Sequence, residues 1–197
     1  MTTLQEALQS IADGASGPQI GAFFDYDGTL IDGYSAGAYF NDRLRRGQMG
    51  AAELLDTLKT VTKGDLSDAE FGEVIGKGIL DWAGRTEDEM RALWLRLFNA
   101  HTGTTLFPEA WKLVRAHQRK GHTVAIASSA TLYQLEPLAH EYGIEHLLCT
   151  RAKVRNGRLT GGIDGQPMWG QGKADGVADF ARRQRIELFL RRERRLE

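Results

Sequence analysis

Along the 197-residue chain the spacing of apolar positions changes several times, and each change marks an element. Residues 3–12 read as a short helix that Gly14-Ala15-Ser16-Gly17-Pro18 closes. Ile20-Gly21-Ala22-Phe23-Phe24 is apolar, aromatic at its end and without helical period, which predicts a buried strand. From about Tyr34 to His101 the pattern turns helical, with helices predicted over roughly 34–46, 50–62, 67–82 and 86–101. Ser67-x-x-Glu70 and Thr86-x-x-Glu89 have the form of capping boxes, because each places a short hydroxyl three residues before a glutamate. Met90, Leu93, Trp94, Leu97 and Phe98 recur at helical spacing and form one continuous stripe. The aromatic residues Tyr39, Phe40, Trp82, Trp94 and Phe98 read as the core of this helical bundle rather than as a ligand cage.

An α/β rhythm follows. Pro108 opens a helix over 109–120, and Thr123-Val124-Ala125-Ile126-Ala127 is a second buried strand ending at Ser128-Ser129. A helix over about 131–142 stops at Gly143, and Ile144 to Cys149 predicts a third short strand. Asn156-Gly157 lies between the short β runs of 154–160 and predicts a hairpin; Gly170 to Arg183 reads as a further helix. The pattern predicts an α/β fold with a parallel sheet, residues 1–32 and 104–197 forming the core and 33–103 a helical insert.

Charge changes this picture only at the end of the chain. Twenty-five Lys and Arg nearly balance 26 Asp and Glu, so no overall field calls for nucleic acid or a membrane surface. Residues 182–197 hold seven arginines against three glutamates. The single cysteine, Cys149, excludes an internal disulfide and reads as a buried small hydrophobe in a reducing, cytoplasmic setting. No signal peptide is legible near Met1, and no apolar run is long enough to cross a bilayer. The five histidines show no metal spacing and read as surface or helix-end residues. Oligomeric state is not legible.

The chemistry begins with Asp25-x-Asp27. Two carboxylates directly after a buried strand cannot both be packed in the core, where losing hydration costs too much. Held at a strand end they suit magnesium, a hard cation that prefers oxygen ligands and also binds phosphate. One carboxylate can attack phosphorus while its neighbour moves a proton. A plain acidic turn is the alternative for a bare D-x-D. Ser128 or Ser129 either caps the following helix or meets a ligand, and Lys173 is either solvated or at the site.

Phe23-Phe24-Asp25-Tyr26-Asp27-Gly28-Thr29-Leu30, Val124 to Ser129, and Gly172-Lys173 resemble, in order, the first three motifs of the haloacid dehalogenase superfamily. The spacing is similar to that of subfamily IB, the subgroup containing phosphoserine phosphatases, and the likeness covers about residues 19–185. The resemblance implies a Rossmann-like core with an inserted four-helix cap. It also implies a Mg²⁺-dependent phosphomonoester hydrolase acting on a small phosphorylated metabolite through an aspartyl-phosphate. In that reading Asp25 is the nucleophile and Asp27 the general acid/base, both on magnesium, and Lys173 neutralises charge. Ser128, Ser129, Gly28 and Thr29 would hold the phosphate.

Two departures stand beside it. The family's fourth motif, an acidic pair after another buried strand, has no counterpart; Phe189 to Glu197 is arginine-rich instead. Four arginines cannot be desolvated together, so this stretch predicts either an arginine-rich end on a shortened chain or a reading frame disturbed near Leu188. The C-terminal strands are then expected to be missing, and a site that binds phosphate without turnover becomes the alternative. Nine residues past Asp25, where phosphoserine phosphatases carry a glutamate for the substrate amine, stands Tyr34, which points to a different small phosphate ester.

Overall fold

The computed structural model describes residues 3–50 and 68–187. The helix expected over about 50–62, the capping residue Ser67 and the chain from Leu188 onward lie outside the described residues. Helix α1 (Leu4–Asp13) starts in a capping box between Thr3 and Glu6, whose side chains satisfy each other's backbone N–H groups. Strand β1 (Gly21–Phe24) follows, then α2 (Ser35–Arg45), α3 (Asp68–Leu80), α4 (Glu87–Ala100) and a 3₁₀ turn (Thr102–Thr104). Thr86 and Glu89 make the capping box that the sequence predicts for α4. Helix α5 (Pro108–Arg119), strand β2 (Thr123–Thr131), helix α6 (Leu132–Tyr142), strands β3 (His146–Arg155) and β4 (Arg158–Asp164), and helix α7 (Gly170–Gln184) complete the described order.

The sheet runs β1-β2-β3-β4, parallel across the first three strands and antiparallel between β3 and β4. Period-two alternation buries both of its faces. Ala22, Val124 and Ile126 point toward α5 and α6, where Val114, Leu135 and Leu138 close the core. Phe23 and Ala125 point the other way, onto Phe180 and Ala181 of α7. A separate cluster joins the inserted helices: Tyr39, Ile79, Trp82, Met90, Trp94 and Leu97 pack with Tyr133 of α6 and Leu159 of β4. Phe98, expected in the bundle, turns instead into the main core.

Two further sequence expectations need correction. Strand β2 continues past the apolar run to Thr131 through a register shift, because Thr131 still pairs with Thr150 after the chain bulges at Ser128. The third strand and the first arm of the hairpin are one ten-residue strand, β3, parallel in its first half and antiparallel in its second. His117 is a helix-end residue as expected, in the last turn of α5; its Nδ1 lies 2.9 Å from Nδ1 of His122, and burial pushes it down to about 4. Asn156 (φ 51°) and Gly157 (φ 71°) both take the left-handed conformation that a tight hairpin turn demands. Burial raises the Cys149 thiol to about 11, as befits an inert packed side chain. At the far edge, Glu187 donates its N–H to the Gln19 carbonyl (2.9 Å) and bridges Ile20 in parallel, so the chain reaches the outer side of β1. No described helix is long and apolar enough to cross a membrane.

Candidate active site

Strands β1 and β2 end side by side, with Phe24 level with Ile126. One step further along β1 is Asp25, and two steps beyond Ile126 is Ser128, so the aspartate pair and the serines share the carboxyl edge of the sheet. The chain leaves β1 in a tight loop. The Tyr26 carbonyl accepts from the N–H groups of Thr29 (3.3 Å), Leu30 (2.9 Å) and Ile31 (3.2 Å). Gly28 adopts φ 69°, where a Cβ is disfavoured, and donates to the Gly33 carbonyl. Gly28 and Thr29 are left exposed on this loop, while Tyr26 between the two aspartates is buried.

Lys173 arrives from the far side of the sheet. Trp169 precedes α7, and Thr150 Oγ1 of β3 accepts from the Met168 N–H (3.2 Å), tying the incoming loop to the sheet. Gly172 lies so close to the Pro167 carbonyl that a Cβ there would collide with it, so this turn accepts only glycine without a backbone shift. Two turns' worth of loop and helix thus carry the Lys173 amine to Asp25, where it donates to Oδ2 at 2.7 Å. The Tyr26 N–H donates to the other oxygen, also at 2.7 Å. Both side chains remain partly open to solvent.

Asp27 sits in a different environment. Oδ1 accepts from the Ser35 N–H at the start of α2 (2.8 Å), and Oδ2 from the Ser35 hydroxyl (3.3 Å). Burial pushes Asp27 up to about 6; the Ser35 bonds and Lys173 pull the other way, and the Asp25 charge adds to the rise. Behind Ser35 stands Gln134 of α6, whose Nε2 donates to the Ser35 Oγ (2.9 Å) and whose Oε1 accepts from both the N–H and the hydroxyl of Thr131 (2.8 Å each). Ser35, Gln134 and Thr131 are all buried.

Neither Ser128 nor Ser129 caps α6; Thr131 occupies that position. Ser128 is buried, with its Oγ accepting from the Ala130 N–H (3.3 Å), and Ser129 is half-buried. Sequence reasoning missed Ser35, Gln134, Thr131 and Thr150. Thr131-x-x-Gln134 carries the Ser/Thr-x-x-Glu/Gln capping signature and was legible as such. Nothing local distinguishes Ser35 or Thr150. Tyr34, directly before Ser35, is 72% exposed at the rim.

The donors at this edge are hard oxygens, the kind magnesium accepts, and that ion commonly keeps several waters beside one or two carboxylates. Among the described residues no three His, Cys, Asp or Glu side chains gather into a metal-holding group. The described set fits a hard cation that keeps several waters.

The chain is 25% identical over 163 residues to the phosphoserine phosphatase of Archaeoglobus fulgidus, covering 83% of this chain and 43% of that one. It is 27% identical over 172 residues to phosphoserine phosphatase SerB1 of Mycobacterium tuberculosis, covering 85% and 56%. The chain thus spans about half the length of the curated relatives it matches. Among solved structures, a protein of unknown function from Bordetella pertussis Tohama I superposes with a TM-score of 0.71 at 24% identity, over 87% of this chain and 77% of that one. A phospho-aspartyl intermediate analogue of phosphoserine phosphatase superposes with a TM-score of 0.58 at 18% identity, over 87% and 75%. These likenesses show the shared fold. The family model for haloacid dehalogenase-like hydrolases matches residues 22–190, and the chain belongs to that family.

Proposed function

We propose that this chain hydrolyses a small phosphate monoester through an aspartyl-phosphate on Asp25. The observation that carries the reading is the Lys173–Asp25 contact at 2.7 Å, set beside a second aspartate that burial holds partly protonated near pH 6. An Asp25 oxygen attacks phosphorus, and the bond to the leaving oxygen breaks. Asp27 gives its proton to that oxygen, then takes one from the water that cleaves the aspartyl-phosphate. Lys173 offsets negative charge spread over the phosphoryl oxygens. The Ser128 and Ser129 side chains, with the Gly28–Thr29 loop, would hold those oxygens. The Asp25 carboxylate and the Asp27 backbone carbonyl would hold magnesium, which supplies positive charge against the phosphoryl oxygens when bound.

Residues 33–103 act in this reading as a cap over the site. Relatives named phosphoserine phosphatase support a subfamily IB assignment. An aromatic ring at Tyr34 offers no carboxylate for a substrate ammonium group, so the substrate is a small phosphate ester other than phosphoserine.

The test is p-nitrophenyl phosphate hydrolysis with and without magnesium, unmodified chain beside Asp25→Asn. Magnesium-dependent turnover that disappears in the variant is the expected result, and turnover surviving it would refute the reading. The alternative is a fold that binds phosphate without turning it over. Vanadate binding with no turnover in either chain would select that alternative.

A further inference from the structure

Four groups follow one another from the buried end of Asp27, and the amide groups among them fix the hydrogen-bond polarity as far as the Ser35 hydroxyl. The Thr131 N–H can only donate, so the Gln134 atom facing it at 2.8 Å must be the amide oxygen. The Gln134 amide nitrogen therefore faces Ser35, 2.9 Å from its Oγ, and it too can only donate. With a lone pair of Ser35 Oγ engaged, its hydrogen is directed to Asp27 Oδ2, 3.3 Å away. Every donor in the row points toward Asp27. The row also crosses three elements, since Thr131 ends β2, Gln134 lies in α6 and Ser35 opens α2.

We infer that Gln134 is a positioning residue for the reaction: it directs the Ser35 hydroxyl hydrogen onto Asp27 and so holds that carboxyl in the orientation from which it delivers its proton. This rests on Asp27 acting as the general acid proposed above. Gln134 itself lies behind Ser35 and is buried, 8% exposed. Its action on Asp27 is therefore indirect.

Glutamate has the shape of glutamine, yet a carboxylate oxygen facing Ser35 would accept the hydroxyl hydrogen and turn it away from Asp27. A proton donor that has lost its orientation costs most when the leaving group is a poor one, because a good leaving group departs without being protonated.

The experiment compares the full unmodified chain with Gln134→Glu, Ser35→Ala and Asp27→Asn, on p-nitrophenyl phosphate and on phenyl phosphate, whose leaving group is much more basic. Melting temperatures are followed in parallel. For Gln134→Glu and Ser35→Ala the expected result is a kcat on phenyl phosphate lowered by about tenfold or more, with KM within about twofold, and a smaller loss on p-nitrophenyl phosphate. Ser35→Thr, which keeps the hydroxyl, should recover most of the phenyl phosphate rate. Should Gln134→Glu fail to fold, Ser35→Ala and Ser35→Thr carry the same comparison. Equal losses of kcat/KM on both substrates, or no loss in folded variants while Asp27→Asn is inactive, would overturn the positioning role and leave the proposed function standing. Full activity in Asp27→Asn, or no turnover in the unmodified chain, would overturn both.

Discussion

The Lys173 amine donates to Oδ2 of Asp25 at 2.7 Å across 148 positions of sequence, joining the first turn of α7 to the end of β1. With Lys173 30% exposed and Asp25 43% exposed, the pair adds little to stability, since solvent screens it. In the proposed reaction its weight falls on chemistry. Replacing Lys173 with Met keeps most of the stem and removes the charge, and turnover of p-nitrophenyl phosphate should fall about 10²–10³-fold. The melting temperature should barely move. A rate within tenfold of the unmodified chain would show that Lys173 is not part of the reaction.

Gly172→Ala is the expected way to misplace the same lysine without touching it. The added methyl meets the Pro167 carbonyl, a backbone atom that cannot swing aside. Urea unfolding should record a loss of about 1–3 kcal/mol. Turnover should fall as well, because the shift occurs one residue before Lys173.

Two groups give stability opposite pH dependences. Asp27 has its folded value raised from the ordinary 3.8 to about 6, so its contribution is fully present below about 3.8 and is lost as pH rises through about 6. His117 has its value lowered from 6.5 to about 4, so its contribution is fully present above 6.5 and is lost as pH falls through about 4. Each is worth on the order of 2–3 kcal/mol and the two largely offset. In magnesium-free buffer between pH 4 and 6.5, Asp27→Asn should make the melting temperature climb more steeply with pH. His117→Gln should make it decline. Parallel profiles for both variants would contradict the assignment.

Trp82 is the ring that gathers the inserted helices, with centroids 6.2 Å from Tyr39, 6.1 Å from Trp94 and 6.3 Å from Tyr133. Trp82→Ala should cost about 3–5 kcal/mol, read by chemical unfolding. Trp82→Phe should cost less, because the ring that remains still fills much of the same space.

The legible parts of this chain are those where local chemistry and tertiary role agree. Asp25 and Asp27 follow an apolar strand directly, and the helices that Thr3, Thr86 and Pro108 start announce themselves by their first turns. The end of β2 was less legible because Ser128-Ser129 looks like a strand terminus, whereas backbone pairing carries through a bulge to Thr131. The continuity of β3 was hidden for a similar reason: Arg151 and Lys153 look like a loop, yet they lie in a strand that leaves the core and is solvated there. Ser35 and Gln134 are 99 positions apart. Only the folded sheet brings them together, and no local pattern marks the meeting.

Strand β3 carries the core sheet into a hairpin, and that hairpin reaches back to the inserted helices. Gly84 and Arg85 exchange backbone hydrogen bonds with Leu159 of β4, and Thr86 bridges Arg158. The two chain crossings between core and insert, near Ile31 and Leu106, lie paired to each other like the two leaves of one hinge. A lid hung on such a hinge would swing freely. Here the hairpin also holds it at the opposite end of α4, a 14-residue helix and so about 20 Å away, and α6 holds it in between through Tyr133 and Glu136. The insert is latched as well as hinged. To swing, it must part the Leu159 contacts, or flex β3 where its pairing already slips between Ala152 and Val154, and it must also lift off Tyr133, Gln134 and Glu136 of α6.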